Sequence, residues 1–355
     1  MASISAALVK ELRGMSGAGM MDCKKALGET DGNIEKAMEL LREKGLGKAA
    51  KKSDRLASEG LIGVKVSDDF KVATITEINS ETDFVAKNEH FIGLTKKITQ
   101  LVQEKDITDI EELKKTEIDG IAFEEYFNTN IAKIGENLVV RRIATIKTKE
   151  NGIVNGYAHS NGRVGVILGA ACENEDVAKK ATTLLKNIAM HAAAMKPQYI
   201  SYQELDAEFV KKETEALKAT IEKENIELKR LGKTLKHVPK YASRLQLSDK
   251  VLEDTKKELE DALRAEGKPE KIWDRIIPGQ MQRFIADNTL LDQELTLLSQ
   301  FFVMDDKKTI KQVLEEKSKE FGGKIEITEY VRFELGEGLE KKGCDFAAEV
   351  AEQLK

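Results

Sequence analysis

The stretch KVATITEINSETDFVAKN, residues 71–88, decides the fold, because a strand pattern in it passes directly into a helix start. Its run of β-branched residues is typical of a strand, and Thr82 and Asp83 are residue types that begin helices. Phe84 is unexpected there, because an aromatic ring beside a carboxylate in the first turn is expected to point outward. The stretch is therefore either a plain helix cap or an exposed contact site.

The same pattern occurs a second time along the chain. Each copy consists of two strands joined by a turn, a helix, a long excursion and a further strand. Asp68-Asp69 marks the first turn and Ser160-Asn161-Gly162 the second. Two copies predict an α+β protein with duplicated core subdomains, each a small antiparallel sheet covered by helices. The first copy consists of strands at 59–67 and 71–80, a helix from 82 and a strand at 138–147. The second copy consists of strands at 151–160 and 163–175, a helix at 176–194 and a strand at 324–338.

A small helical bundle is predicted before the first copy. Residues 3–46 contain three short amphipathic segments, which can bury their apolar stripes only against each other. The third helix is expected to stop at Gly45. The basic stretch 48–60 is then a linker or a charged extension of that helix, and a nucleic-acid-binding tail is the less favoured alternative.

The excursion of the second copy predicts an inserted antiparallel helical hairpin of coiled-coil type. Apolar residues at helical spacing run over about 202–235, Pro239 breaks the pattern, and a second helix ends at Gly267. A basic tip suits an acidic partner surface or RNA, although solvated charges are the simpler interpretation. The basic residues of the tip are Lys236, His237, Lys240 and Arg244.

These elements divide the chain into five predicted parts. The last of them ends in a helix with Phe346, Val350 and Leu354 on one side. The parts are a three-helix module at 1–54, core subdomain N at 55–148, core subdomain C at 149–200 and 276–338, the inserted hairpin at 201–275, and a C-terminal helical module at 339–355.

The composition is that of a water-soluble globular protein. Of 355 residues, 34% are charged and 41% hydrophobic, and the formal net charge of −5 argues against a broad nucleic-acid-binding face. Cys23, Cys172 and Cys344 are odd in number and far apart, which favours a reducing compartment. Charges interrupt the N-terminal apolar run before a signal-peptide core forms, and the apolar run 164–172 is too short to span a bilayer. We therefore expect a cytoplasmic protein.

The sequence contains no motif for catalysis, nucleotide binding or metal binding. The P-loop and dinucleotide-binding patterns are absent, the four histidines do not cluster, and no Cys or His pair has zinc-ligand spacing. We expect no cofactor, no metal and a binding protein rather than an enzyme. An enzyme whose site is assembled from distant residues is the alternative.

Some apolar and polar residues are candidates for the surface. Met20 and Met21 are adjacent in a helix, so one is expected in the bundle core and the other outside. His159 lies at a hairpin tip, where a plain turn residue is the default. The segment FFVMDD, residues 301–306, lies outside the repeat, and core packing is the default there.

Six segments together resemble the bacterial elongation factor Ts family. They follow the family's order over nearly the whole chain, so the set is specific although each segment alone is weak. The segments are VKELR with SGAGMMDCKKAL, TDFVAKN, IGENLVVRR, IAMHAAAMKP, FVM and RFELGEG.

The resemblance implies an N-terminal module of ubiquitin-associated type, two similar core subdomains, an inserted helical hairpin and a C-terminal helical module. It implies guanine nucleotide exchange on elongation factor Tu, a GTPase bound in its GDP form. The missing P-loop fits this function, because the nucleotide belongs to the partner. We expect no direct nucleotide, no membrane and no nucleic acid as partners.

The resemblance also gives the opening stretch a role. In the family, the TDFV segment inserts beside the partner's nucleotide site and displaces its magnesium ion; it matches Thr82, Asp83, Phe84 and Val85. Phe84 would enter an apolar gap as an anchor. Asp83 would bring negative charge near groups that order the Mg²⁺ shell. A helix cap at Thr82 is compatible with a projecting Phe84.

Other family contacts match residues outside this segment. The hairpin exceeds that of the family's short members, and members differ in oligomeric state, so a homodimer through the hairpin or the core is allowed. A helical adaptor without exchange activity is the alternative function. The matching residues are Arg13, Met20, Met21 and Lys24 for the partner's G domain, His159 for a distal β domain, and Val303 and Met304 for a further contact segment.

Overall fold

The computed structural model describes residues 4–339, which fold as two compact units. One unit contains the chain up to Lys147, Val154–Ile167 and the chain from Val331, and the other contains Thr148–Ile153 and Leu168–Tyr330. The predicted C-terminal helical module lies outside the described residues, apart from Leu339. None of the helices described is long and apolar enough to cross a membrane.

Three helices open the first unit: α1 (Ala6–Ser16), α2 (Met20–Glu29) and α3 (Ile34–Ala50). Ser5 begins α1 and Asn33 begins α3, and each side-chain oxygen accepts a backbone N–H of the first turn. The predicted three-helix bundle is confirmed. Its shared core consists of Val9, Leu12, Cys23, Ala26, Leu27 and Ala37.

The first copy of the repeat contains nine elements. In chain order they are β1 (Glu59–Val66), β2 (Val72–Ser80), α4 (Asp83–Ala86), α5 (Glu89–Glu104), α6 (Ile110–Lys114), β3 (Glu117–Ile118), β4 (Ile121–Ala122), α7 (Phe123–Ile134) and β5 (Leu138–Lys147). Three of the strands form an antiparallel sheet in the order β1–β2–β5. One helix, α5, covers this sheet with an apolar stripe at helical spacing that includes Phe91, Leu94 and Ile98.

Two helix boundaries differ from the prediction. The helix expected from Thr82 is interrupted after Ala86, and Asn88 begins α5 by accepting the backbone N–H of His90 at 2.8 Å. The third helix does not stop at Gly45 but continues to Ala50. Gly45 is buried where α3 packs against α7, and this packing outweighs the weak helix propensity of glycine.

The second copy forms a sheet of β6 (Gly152–Ala158), β7 (Val164–Cys172) and β10 (Ile325–Glu334). The strand order β10–β7–β6 repeats the arrangement of β5–β2–β1 and confirms the predicted duplication. The remaining elements of this copy separate β7 from β10 in the chain. They are α8 (Glu175–Met195), α9 (Ala207–Arg230), α10 (Asp249–Ala265), α11 (Trp273–Asp287), α12 (Leu290–Leu295), β8 (Phe301–Phe302), β9 (Asp305–Thr309) and α13 (Ile310–Phe321).

The inserted region differs from the prediction at the end of its first helix. Helix α9 ends at Arg230 rather than near Leu235, and Gly232 follows in the left-handed conformation (φ +63°). The chain then runs back along α9, where the Asn225 side chain exchanges hydrogen bonds with the backbone of Lys236 at 2.7 and 2.8 Å. A segment without helix or strand thus lies beside α9, where the prediction placed a second helix.

The helical pair of the insertion is α10 with α11, not α9 with α10 as the sequence pattern predicted. Leu263 of α10 is buried beside Trp273 and Ile277 of α11. Helix α11 was not predicted, and it contains Pro278, which the sequence pattern treats as a helix breaker. Helix α9 packs elsewhere, since its buried Val210 lies in a cluster with Leu291 and Leu295 of α12.

A buried carboxylate joins β2, β5 and the end of β10. Glu77 is fully buried, and it accepts hydrogen bonds from Arg141 Nη1 at 3.0 Å, from Arg142 Nε, and from the backbone N–H of Gly336 at 2.9 Å. A β-bulge after Glu77 leaves Arg141 as the extra residue of β5, so two consecutive arginines reach one carboxylate.

Replacing Glu77 with alanine is expected to lower the free energy of unfolding by about 3 kcal/mol, because two half-buried guanidinium groups lose their buried carboxylate partner and the backbone N–H of Gly336 loses its acceptor. Urea denaturation measures the loss. The control is Glu124→Ala on α7, an exposed position where we expect a change within about 0.5 kcal/mol. Equal losses in the two variants would contradict the prediction.

Candidate partner-binding surface

The short helix α4 carries the most exposed large apolar side chain among residues 4–339. Phe84 is 79% exposed, whereas the adjacent Val85 is buried in the core with Ile78 and Phe91. Successive residues of a helix point in different directions, so Val85 fixes the tip to the unit while Phe84 projects. Within the TDFV segment, Phe84 is therefore available for contact with a partner, whereas Val85 belongs to the core.

The carboxylate beside Phe84 is ionised at neutral pH. Lys87 donates a hydrogen bond to Asp83 Oδ2 at 2.7 Å and so lowers the pKa of Asp83, with a smaller contribution from the charge of Arg163. The Lys87 ammonium also lies 5.9 Å from the centre of the Phe84 ring. The tip thus presents an aromatic ring together with an ionised carboxylate that is paired with Lys87.

Thr82 does not cap α4 with its side chain. Its hydroxyl instead donates to Glu136 Oε1 at 2.6 Å. Glu136 lies in the turn that precedes β5, so the start of the tip is fixed by a neighbouring segment.

The bundle presents four candidate residues around the junction of α1 and α2. Met20 and Met21 are 58% and 63% exposed, so the expectation that one of them fills the core is wrong. Helix α2 begins at Met20, and its first residue in the core of the bundle is the fully buried Cys23. Met20 and Met21 therefore precede the part of α2 that packs against α1 and α3. Arg13 and Lys24 are exposed as well.

His159 is exposed in the turn between β6 and β7. Its backbone N–H donates to the Val164 carbonyl at 2.9 Å, and its Nδ1 lies 3.0 Å from the Tyr157 hydroxyl. His159 therefore closes the turn, as predicted for a plain turn residue, and its imidazole ring is also exposed at the surface.

In the second unit, Val303 and Met304 form the turn between β8 and β9 and are 46% and 57% exposed. The core packing expected for residues 301–306 holds for Phe302, which is buried, but not for these two residues. A two-residue turn places both side chains beyond the end of the paired strands, away from the core.

A buried histidine supports this turn. His191 on α8 is fully buried, its Nδ1 accepts the backbone N–H of Val303 at 3.2 Å, and its Nε2 lies 3.1 Å from Gln300 Oε1. These two contacts require the neutral tautomer that carries its proton on Nε2. Burial lowers the pKa of His191, and the hydrogen bond to Gln300 opposes this shift only in part.

Sequence reasoning assigned no role to Glu136, His191 or Gln300. Glu136 and His191 lie within IGENLVVRR and IAMHAAAMKP, two segments that carried the family resemblance. The presence of a charged or ionisable residue inside a segment that carries the family resemblance was the available signal. It does not identify the hydrogen-bond partners, which are distant in sequence.

The candidate residues are suited to binding rather than to covalent chemistry. They offer exposed apolar side chains beside single charges, which is the composition of interface anchors. Within residues 4–339, no group of three or more His, Cys, Asp or Glu side chains could hold a metal ion.

Comparisons with known proteins agree on one family. The family model described as Elongation factor TS matches residues 81–236 and 233–337. The chain is 65% identical over 351 residues to Elongation factor Ts of Campylobacter curvus, with 99% of both chains covered. It is 61% identical over 354 residues to that of Wolinella succinogenes and 59% identical over 355 residues to that of Helicobacter pylori, with 100% of both chains covered in each case.

Lowering the pH below 6.5, the ordinary pKa of histidine, is expected to reduce the free energy of unfolding through His191. The unfolded imidazole takes up a proton in that range while the folded one stays neutral, so stability falls as pH falls. Urea denaturation at about pH 7.5 and about pH 5.5 measures the effect. His191→Gln is expected to show a smaller difference between the two pH values, and an equal difference would contradict the assignment.

Proposed function

Because the chain belongs to the elongation factor Ts family and is a guanine nucleotide exchange factor for elongation factor Tu, we propose that its α4 tip carries out the exchange step. The observation that carries this proposal is the 79% exposure of Phe84 beside the ionised Asp83. A free protein leaves a ring so exposed only at a cost in hydration free energy, which is recovered when a partner buries it.

In the proposed mechanism, Phe84 enters an apolar gap of the GDP-bound partner and Asp83 approaches the groups that order its Mg²⁺ shell. Mg²⁺ requires near-ideal octahedral geometry, so a small displacement of its ligands weakens its binding. Loss of the ion removes positive charge from the phosphates of GDP, and GDP leaves faster. Coupling is reciprocal, so GDP weakens the binding of the exchange factor by the same free energy.

The other exposed residues are proposed to hold the partner while the tip acts. Met20 and Met21 supply apolar contact to its G domain, flanked by the positive charges of Arg13 and Lys24. The turn at His159 and the turn formed by Val303 and Met304 contact further parts of the partner. Several separate anchors give orientation as well as affinity.

The setting of this activity follows from the same proposal. The protein acts in the cytoplasm, and it accelerates GDP release without making or breaking a covalent bond in the partner. The division into five domains stays a prediction, and so does a homodimer through the insertion or the core.

Replacing Phe84 with alanine is expected to reduce the acceleration of GDP release by about 30-fold, the effect of losing an anchor of about 2 kcal/mol. Release of a fluorescent GDP analogue from purified elongation factor Tu measures the rate. The matched control is Ile226→Ala on α9, which removes an apolar side chain that is 68% exposed and lies outside the proposed contacts. We expect the control to keep the native rate.

The outcomes of this assay separate the alternatives. No acceleration by the native chain would overturn the exchange function and leave a helical adaptor. Full acceleration by the Phe84→Ala variant would keep the function and assign the step to Asp83 and the bundle.

A further inference from the structure

The start of the α4 tip is held by the turn Gly135-Glu136-Asn137, which precedes β5. Glu136 Oε2 accepts the backbone N–H groups of Glu81 and Thr82 at 3.1 and 3.0 Å, and its Oε1 accepts the Thr82 hydroxyl. In return, the backbone N–H of Asn137 donates to Glu81 Oε1 at 2.6 Å. The two segments therefore hold each other through side-chain to backbone hydrogen bonds in both directions.

The same turn also holds the chain that leaves the three-helix bundle. The Asn137 side chain is buried and donates to the backbone carbonyls of Arg55 at 2.7 Å and Ser53 at 3.3 Å. Lys52 donates to the carbonyl of Gly135. An ion pair of 3.6 Å between Arg55 and Glu81 links the bundle exit directly to the tip.

We propose that Glu136 and Asn137 are positioning residues for exchange, with Glu136 fixing the direction of the tip and Asn137 fixing the exit of the bundle to the same turn. The inference rests on the proposed function, because it concerns how the tip acts there. Its consequence is that the two surfaces proposed to meet the partner's G domain are held together as one preorganised unit.

The tip needs such support because α4 cannot hold its own direction. A helix of four residues lies far below the length at which isolated helices are stable, and α4 lacks a side-chain cap. The Asp83–Lys87 pair is exposed and adds little. Val85 anchors the middle of the tip in the core, and this contact does not fix the backbone that enters α4. The bonds from Glu136 to the backbone N–H groups of Glu81 and Thr82, together with the bond from the Ser80 hydroxyl to the Thr82 carbonyl, fix that backbone.

The test is the rate of GDP release from elongation factor Tu at saturating concentrations of the exchange factor. Glu136→Ala is expected to lower the maximal rate about tenfold while the half-saturating concentration changes by less than about threefold, since orientation rather than contact is lost. Glu136→Gln is expected to restore most of the rate. Its carbonyl can accept both backbone N–H groups, and its NH₂ can donate to the Thr82 hydroxyl oxygen.

A double-mutant cycle distinguishes positioning from general damage to the fold. If Glu136 acts through the ring, adding Glu136→Ala to Phe84→Ala causes no further loss of rate. Thr82→Val, which removes only the hydroxyl bond, is expected to cause a smaller loss that also disappears in the Phe84→Ala background. It keeps the test valid should Glu136→Ala fail to fold.

A matched control removes the same kind of bonds elsewhere in the unit. Glu112 Oε2 accepts the backbone N–H and the hydroxyl of Thr108 at 2.8 and 3.0 Å, before α6. Glu112→Ala is expected to keep the native rate. Full activity of Glu136→Ala, or a loss that adds to that of Phe84→Ala, would overturn the inference while leaving the exchange function intact. No exchange by the native chain would overturn the proposed function itself.

Discussion

The buried pairing of Glu77 with two consecutive arginines is the constraint on which the surface of the first unit depends. Arg141 and Arg142 can both reach one carboxylate only because of the bulge in the pairing of β2 with β5. A shift of β5 by one residue would turn its side chains to the opposite face and leave the carboxylate unpaired in the interior. The ion pair therefore fixes the register of β5.

From that register follows the position of the tip. With β5 in place, Leu138 lies opposite Ser80. The residues just before Leu138 and just after Ser80 therefore leave the sheet at the same end of these two strands. The 135–137 turn and the start of α4 meet there without any long connection. The buried ion pair thus fixes the register of β5, and this register places Glu136 beside residues 81–82. The hydrogen bonds of Glu136 are then proposed to set the direction of the Phe84 ring.

The elements that local patterns determine could be predicted from the sequence, and the contacts between distant segments could not. Strand runs, turns and helix caps are local, so the duplicated sheets and the three-helix bundle could be inferred. The continuation of α3 past Gly45 and the pairing of α10 with α11 depend on packing partners far away in the chain. For the same reason the family resemblance gave Phe84 a role but gave none to Glu136 or His191, whose partners belong to other segments.

Two of the candidate contacts, the Phe84 tip and the Val303–Met304 turn, place an exposed apolar side chain on a short element that a buried or half-buried polar group holds. Glu136 holds the start of the Phe84 tip, and His191 holds the backbone of Val303. Such support has an energetic reason. In the proposed mechanism, binding free energy that is used to order a loose tip is no longer available for displacing the partner's ion, so a rigid tip leaves more of it for that step. Small separate anchors also keep each exposed apolar patch small, which limits self-association of the free protein. Polar support beneath isolated apolar anchors is therefore what an exchange factor requires, since it must bind firmly enough to disturb its partner and still be released when nucleotide returns.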